Sequence, residues 1–134
     1  MKGRKVLVID DDLTMLRMTE RLLQNDGYTV IVASRGQMGL ERAKRDRPDL
    51  ILLDVLIPDM NGVEIVNALK ADVTTKDIPI VFMTVTLPLK DDQGKEIITI
   101  NNQSYRTFAK PLHNRKVLSV IRKEINRHIY NNKY

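Results

Sequence analysis

Short apolar runs alternate along this chain with longer segments of helical periodicity, and this alternation constrains the fold more than any other feature of the sequence. Four runs rich in Val, Ile and Leu lie at 6–9, 28–33, 50–53 and 80–83. Such runs form strands that are buried on both faces of a sheet. Between them, apolar residues recur every three or four positions, as in amphipathic helices. Strands that alternate with helices predict right-handed crossovers and a doubly wound α/β sheet.

Gly and Pro residues between these segments fit the same assignment. Gly27 lies where the first helix should end, and Ser34 with Gln37 three residues later has the spacing of a capping box for the second helix. Four prolines fall between predicted elements, where proline is tolerated: Pro48, Pro58, Pro79 and Pro111.

The pattern is weaker after the fourth strand. Residues 87–104, LPLKDDQGKEIITINNQS, combine Gly94 with a β-branched cluster and two asparagines, so we expect any fourth helix there to be short or irregular. A fifth strand is predicted around 106–109. A long amphipathic helix follows, with apolar residues that include Val117, Ile121 and Ile125. The expected architecture is therefore a five-stranded parallel sheet between two layers of helices.

Length and composition predict one soluble domain. The chain has 134 residues, the usual size of a single domain, and we place its core at about 4–130. No apolar run approaches the roughly 18 residues of a membrane span, and residues 1–4 lead into a strand and not a signal peptide. We therefore expect a cytoplasmic protein without membrane contact. Because cysteine is absent, any metal must be bound by oxygen or by His113 and His128, which favours a hard cation.

The net charge of +5 is concentrated at one end of the chain. Residues 113–134 contain six Lys or Arg against one acid, so this segment alone accounts for the whole net charge. A basic helix can contact phosphates, but the chain has no recognition motif and no interleaved aromatic residues. We therefore expect no direct nucleic-acid binding.

Polar residues follow four of the predicted strands. Asp10 and Asp11 follow the first, Asp54 ends the third, Thr84 ends the fourth and Lys110 ends the fifth. In a doubly wound sheet, ligands bind beyond the carboxyl ends of the strands. A single Asp after a strand is usually a turn or helix cap, but four segments that deliver polar groups to one edge indicate a site.

The chemistry of these groups indicates phosphoryl transfer. Three carboxylates at one point repel unless a divalent cation lies among them, and Mg²⁺ uses a few carboxylates, waters and a substrate phosphate. An aspartate can act as nucleophile toward phosphorus. The metal, a hydroxyl and a lysine would then offset the charge of the phosphoryl oxygens.

The sequence resembles the receiver domains of two-component response regulators. The resemblance spans nearly the whole chain and rests on VIDDD after strand one, LLDVLIPDMNG after strand three, Thr84 after strand four and KP after strand five. It implies a flavodoxin-like (CheY-like) fold, a (βα)5 three-layer sandwich, and a single receiver domain over 1–134.

The resemblance also implies a role for each site residue. A sensor histidine kinase or phosphotransfer protein would be the partner, and the protein would catalyse only its own phosphorylation and dephosphorylation. The Lys110–Pro111 bond would be cis. The implied residues are the phosphoacceptor Asp54, the Mg²⁺ ligands Asp10, Asp11, Asp54 and the backbone carbonyl of Leu56, and the phosphoryl-binding Thr84 and Lys110.

The sequence departs from the family pattern at Gln103 and Ser104, where the family usually has a Gly-Ala pair before the fifth strand, and at two places near the site. Val85 stands where the family usually has Ala or Gly, and a bulkier side chain there would narrow access to Asp54. Thr107 stands where the family often has an aromatic residue that turns inward on activation, and Phe108 follows it. Signal output through this face is therefore expected to be atypical.

Two alternatives stay open at this point. The segment DDDLT also fits the D-x-D-x-T signature of haloacid-dehalogenase-type phosphatases, with Asp10 as nucleophile and Asp12 as acid and base. In the receiver interpretation, Asp12 instead caps the first helix. A degenerate receiver that acts only as a docking module is the second alternative, suggested by Val85 and Thr107.

The charge distribution suggests a homodimer that phosphorylation strengthens. Acidic residues of the fourth helix region, Asp91, Asp92 and Glu96, would face the basic last helix of a second copy. Such a two-fold dimer would form through the fourth helix, the fifth strand and the fifth helix. The alternative is that both sets of charges face solvent.

Overall fold

The computed structural model describes residues 3–85, 89–112 and 115–133. In this part of the chain four helices are present: α1 (Leu13–Asn25), α2 (Gly36–Asp46), α3 (Gly62–Ala71) and α4 (Arg115–Lys133). The strands are β1 (Lys5–Ile9), β2 (Thr29–Ala33), β3 (Leu50–Asp54), β4 (Leu56–Ile57), β5 (Met60–Asn61), β6 (Ile80–Thr84), β7 (Leu89–Lys90), β8 (Glu96–Ile100) and β9 (Gln103–Ala109).

Seven of the strands form one sheet, in the order β2-β1-β3-β6-β9-β8-β7. The first five of these strands run parallel, and they coincide with the five strands that the sequence predicts. Apolar side chains on one face pack against α2 and α3, and those on the other face pack against α1 and α4. The doubly wound, flavodoxin-like architecture is confirmed.

The expectation of a fourth helix before the fifth strand is wrong. Within the described residues 89–112 the chain forms β7, β8 and β9, which pair antiparallel as a meander at one edge of the sheet. The sheet is therefore mixed and seven-stranded, and the described helices number four instead of the five of a (βα)5 sandwich.

Two tight turns explain this meander. Asn101 and Asn102 both have positive φ, 53° and 66°, and connect the paired residues Ile100 and Gln103. Two residues with positive φ between paired strands form the turn whose twist matches that of a β-hairpin, and Asn tolerates this conformation. Gly94, at φ 78°, closes the other turn. The β-branched segment that follows Gly94 then forms a strand because it pairs directly with β9.

The helix ends follow the sequence in part. Gly27 follows Asp26, the C-cap residue of α1, and has φ 95°, so the helix ends where the sequence predicts. The predicted capping box at Ser34 and Gln37 is wrong, because α2 begins at Gly36 and its N-cap residue, Arg35, makes no capping hydrogen bond with its side chain. No described helix is long and apolar enough to span a bilayer.

Candidate functional site

Four neighbouring strands bring their carboxyl ends together at one edge of the sheet. Asp10 follows β1, Asp54 ends β3, Thr84 ends β6 and Lys110 follows β9. The register places Thr84 beside Ala109, and the backbone N–H of Lys110 donates to the carbonyl of Thr84 at 2.8 Å. The strand ends predicted from the sequence therefore converge, although β9 arrives through a hairpin.

The ammonium of Lys110 joins two buried carboxylates. Its Nζ lies 2.7 Å from Oδ2 of Asp54 and 3.1 and 3.0 Å from Oδ1 and Oδ2 of Asp10. The Lys110 side chain is 4% exposed and that of Asp10 is 0% exposed. Ionised groups this deeply buried require partners, and each provides one for the other. The Lys110–Pro111 peptide bond is cis, as predicted.

Backbone N–H groups orient the same two carboxylates. Oδ1 of Asp54 accepts from the N–H of Leu56 at 3.1 Å, and Oδ1 of Asp10 accepts from the N–H of Asp12 at 3.0 Å. Each carboxylate thus has one backbone donor and the shared ammonium. These hydrogen bonds orient both carboxylates.

Burial and neighbouring charged groups shift two pKa values in the site. Burial raises the pKa of Asp10 to about 6; hydrogen bonds from Asp12 and Lys110 oppose this shift, and neighbouring Asp54 adds to it. Burial by itself would lower the pKa of Lys110, but hydrogen bonds to Asp54 and Asp10 outweigh it and raise that pKa. The cluster therefore favours a protonated lysine beside carboxylates that compete for positive charge.

Three carboxylates of the cluster can reach one cation. Oxygens of Asp10, Asp11 and Asp54 lie within 4.8 Å of one another, and Asp11 is exposed to solvent. Among the described residues, the Lys110 ammonium pairs with Asp10 and Asp54, so the three carboxylates outnumber this cation. All the donors are oxygens, which hard divalent cations prefer. The residues present therefore fit Mg²⁺.

Asp12, the third aspartate of the DDD segment, caps a helix. Its Oδ1 accepts from the backbone N–H groups of Thr14 and Met15, at 3.0 and 3.1 Å, so it caps α1 as predicted. A carboxylate held in this way fits a helix cap better than the acid and base of the phosphatase alternative. That alternative is not favoured, and neither is the docking-only alternative, since the whole set of predicted strand-end residues is in place.

The departures from the family pattern have definite positions. Val85 is 68% exposed, at the surface beside Thr84. Thr107 is 2% exposed, and its Oγ1 has no hydrogen-bond partner among the described residues. Phe108 lies on the opposite face of β9, in the core against α1 and α4. No aromatic ring therefore occupies the position of Thr107, as the sequence indicates.

Two residues near the site had no predicted role. Tyr105 lies on the same face of β9 as Thr107, and its ring contacts that of Phe82 edge to face, with centroids 5.6 Å apart. Alternation along the strand would have placed it there. Asp59 bonds to the start of α2 from the loop after β3, a contact with no local sequence signal. Of the two histidines, His128 lies half-buried on α4, and His113 is outside the described residues.

Comparisons with known proteins agree on one family. The family model of the response regulator receiver domain matches residues 6–122. The alkaline phosphatase synthesis transcriptional regulatory protein PhoP of Bacillus subtilis is 30% identical over 115 residues, covering 86% of this chain and 45% of that protein. The DNA-binding response regulator MtrA of Mycobacterium tuberculosis is 28% identical over 124 residues, covering 92% of this chain and 51% of that protein.

A solved structure shows the same fold. The chemotaxis response regulator CheY4 of Vibrio cholerae superposes with a TM-score of 0.76 at 28% identity, covering 92% of this chain and 99% of that one. By contrast, this chain spans about half the length of PhoP and MtrA. Because MtrA is described as DNA-binding, the relatives give no support to the expectation that nucleic acid is not a partner.

Proposed function

Because this chain belongs to the family of response regulator receiver domains, we propose that Asp54 accepts a phosphoryl group in a Mg²⁺-dependent step of two-component signalling. The single observation that supports this most directly is the position of Lys110. Its ammonium lies within hydrogen-bond distance of both Asp54 and Asp10. The same lysine therefore contacts the proposed nucleophile and a proposed metal ligand.

In this reaction an oxygen of Asp54 forms a bond to phosphorus as the bond from phosphorus to its donor breaks. With a phosphohistidine donor, the imidazole nitrogen keeps the electron pair of that bond and takes up a proton. Mg²⁺, when held by Asp10, Asp11, Asp54 and the carbonyl of Leu56, supplies positive charge that offsets the phosphoryl oxygens.

Side chains and a backbone N–H of this chain bind the phosphoryl group and orient Asp54. The Lys110 ammonium donates to the phosphoryl group once it is bound, since lysine is a flexible point charge with three donors. The Thr84 hydroxyl, at the end of the adjacent strand, is a second donor. The Leu56 N–H keeps Asp54 oriented through Oδ1, and so positions the nucleophile.

Mass spectrometry after incubation with acetyl phosphate and Mg²⁺ tests the proposal. The wild type should gain one phosphoryl group, and Asp54→Asn should gain none. Asp46→Asn is a matched control, because Asp46 is a half-buried carboxylate that pairs with Arg45 away from the site; it should be labelled like the wild type. Chelation of Mg²⁺ should abolish labelling. A phosphoryl group on Asp10 would instead support phosphatase chemistry.

The same proposal includes the partners and the organisation of the chain. The donor is a sensor histidine kinase or a phosphotransfer protein, and the phosphorylated receiver signals by a change of conformation. Residues 1–134 act as one receiver domain, with no catalytic turnover beyond their own phosphorylation and dephosphorylation. Labelling by a purified phosphorylated kinase or phosphotransfer domain is the corresponding measurement.

A homodimer strengthened by phosphorylation remains a prediction, but the acidic side of its contact is a hairpin and not a helix. Asp91, Asp92 and Glu96 lie on the β7–β8 hairpin and not on a helix, and the Asp91 carboxylate is engaged by the N–H groups of Gln93 and Lys95. The contact would therefore be between this hairpin and the basic α4. Sedimentation velocity at low and high salt, with and without phosphorylation, tests it: a monomer under all four conditions contradicts it.

A further inference from the structure

The second helix is capped by a residue from a different loop. The first N–H groups of a helix lack partners within the helix, and Arg35, the N-cap residue of α2, offers no side-chain hydrogen bond. Asp59, 23 residues beyond Gly36 in the chain, provides the cap instead. Its Oδ1 accepts from the N–H of Gly36 at 2.8 Å, and its Oδ2 accepts from the N–H of Gln37 at 3.0 Å. Both oxygens of one carboxylate are thus attached to α2.

Asp59 lies at the tip of a small hairpin. Its strands, β4 and β5, pair Leu56 with Asn61 and Ile57 with Met60, so Pro58 and Asp59 form the two-residue turn. The hydrogen bonds from Gln37 and Gly36 lower the pKa of Asp59 further below neutral pH, so the carboxylate is ionised there. A charged turn is therefore attached to the positive end of a helix.

Close packing supports the same attachment. A Cβ added at Gly36 would lie 3.0 Å from Cβ of Met60 and 3.1 Å from Cδ1 of Ile65. The absence of a side chain at Gly36 therefore lets the hairpin approach α2 closely. At the far end of the hairpin, Asn61 forms a capping box with Glu64 at the start of α3.

The hairpin begins at a residue of the candidate site. The N–H of Leu56 binds Oδ1 of Asp54, and the carbonyl of Leu56 is the backbone ligand assigned to Mg²⁺ above. Ile57, the next residue, is 5% exposed in the core. Movement of the hairpin relative to α2 would therefore displace both the donor that orients Asp54 and the backbone oxygen for the metal.

We propose that Asp59 is a positioning residue for the phosphoryl-transfer site, which it serves by clamping the β4–β5 hairpin to the N-terminus of α2. The inference rests on the proposed function, because it concerns the same metal and the same aspartate. It assigns to Asp59 no contact with metal or phosphorus. The expected effect of its loss is on the geometry of Leu56.

The first test compares Asp59→Ala with the wild type by calorimetric titration of Mg²⁺ and by rates of acetyl phosphate labelling. We expect the Mg²⁺ dissociation constant to rise by about threefold to tenfold, less than the roughly 10–100-fold seen when a direct supporting partner of a ligand is removed. Labelling should slow most at low Mg²⁺ and recover only in part at saturating Mg²⁺, because Leu56 provides both the metal's backbone oxygen and the N–H that orients Asp54.

Two further variants separate positioning from stability. Asp72→Ala removes another carboxylate, half-buried, that accepts a backbone N–H, that of Thr74 at 2.8 Å, and should leave Mg²⁺ binding unchanged. Arg35→Asp combined with Asp59→Ala supplies a local cap for α2, since Arg35 already has the extended backbone of an N-cap residue. This double variant should regain thermal stability without regaining Mg²⁺ affinity.

The outcomes are distinguishable. If the wild type neither binds Mg²⁺ nor becomes labelled, the proposed function fails. If the wild type does both and Asp59→Ala matches it in Mg²⁺ affinity and labelling, Asp59 is only a helix cap and the inference is overturned. Recovery of Mg²⁺ affinity in the double variant would also overturn it, because the clamp would still be absent.

Discussion

Helices connect β1, β2, β3 and β6 in sequence, whereas two short antiparallel strands, β7 and β8, lie between β6 and β9. In the helix-linked half, each connection returns the chain across a face of the sheet and covers that face. In the hairpin-linked half, the chain reverses direction twice within the sheet, at Asp91–Lys95 and at Asn101–Asn102. Two reversals restore the parallel direction, so β9 lies beside β6 as it would after a crossover helix.

The comparison shows that the site depends on where strands end and not on how they are connected. Lys110 reaches Asp54 because the register of β6 with β9 pairs Thr84 with Ala109. In the meander of β7, β8 and β9, however, the residues of β8 are less buried than those of β3. Residues of β3 are buried throughout, but within β8 only Ile100 is fully buried. We therefore expect the two halves to differ in stability.

The largest expected effect comes from matched truncations in the two halves. Leu52, on β3, is 0% exposed, and Leu52→Ala should lower the free energy of unfolding by about 2–5 kcal/mol. Ile98, on β8, packs against the core but is only partly buried. Ile98→Ala should therefore lower the free energy of unfolding by about 1–2 kcal/mol, as for a partly buried apolar side chain. Urea unfolding measures both.

Hydrogen exchange sharpens the same comparison. The amides of β8 should exchange by local opening at lower free energy than those of β3, because β8 has fewer buried contacts. Equal losses of stability in Leu52→Ala and Ile98→Ala, with equal protection of the two strands, would show that the hairpin-linked half is as well packed as the rest.

The helix-linked half was predictable from the sequence for a physical reason. Parallel strands that are covered on both faces need runs of apolar residues, and the runs at β1, β3 and β6 have little other explanation. The meander of β7, β8 and β9 is not among the predicted elements, although its turn residues Gly94, Asn101 and Asn102 stand in the sequence. The segment from Glu96 to Ile100 does not alternate strictly between polar and apolar residues, and parallel strands in a doubly wound sheet are usually joined by a crossover helix.

The candidate site divides in the same way. Residues at strand ends, such as Asp54 and Lys110, could be assigned because strand order fixes where they converge. The cap of α2 could not be assigned, since the local pattern of Ser34 and Gln37 indicates a capping box, whereas a carboxylate from another loop is the actual partner. A contact between segments 23 residues apart depends on tertiary packing, and single-sequence patterns do not report it.

The next prediction concerns the point where the two halves meet, at Asp10 from one and Lys110 from the other. Without Mg²⁺, Asp10→Asn should raise the free energy of unfolding at pH 8 by about 1–3 kcal/mol, because a charge is removed from a fully buried position while Lys110 keeps Asp54 as partner. With Mg²⁺ present the order should reverse, since the wild type gains stability from binding.

The dependence of stability on pH tests the direction of this Asp10→Asn effect. The pKa of Asp10 is raised to about 6 from 3.8, so folding favours its protonated form. The stability from this group is fully present below pH 3.8 and is lost as pH rises through about 6. The advantage of Asp10→Asn over the wild type should therefore grow from pH 4 to pH 7 in chemical unfolding. An advantage that shrinks over this range would contradict the assignment.

The smallest expected effect tests the turn that makes the hairpin possible. Asn102 and Arg47 both have positive φ, 66° and 46°, the first in the hairpin-linked half and the second at the C-terminus of α2. Glycine adopts this conformation without strain, so Asn102→Gly should stabilise the protein by about 0.5 kcal/mol and Arg47→Gly by about 1 kcal/mol, since Asn tolerates positive φ better than Arg. Asn101 is left unchanged because its side chain donates to Asn67 at 2.6 Å.

If the β8–β9 hairpin opens on its own, Asn102→Gly should slow exchange of the β8 amides more than it raises the global free energy of unfolding, whereas Arg47→Gly should act on the global value. Asn102→Ala should destabilise by about 1 kcal/mol; a neutral result there, with no change in β8 exchange, would mean that the turn does not hold the hairpin in place.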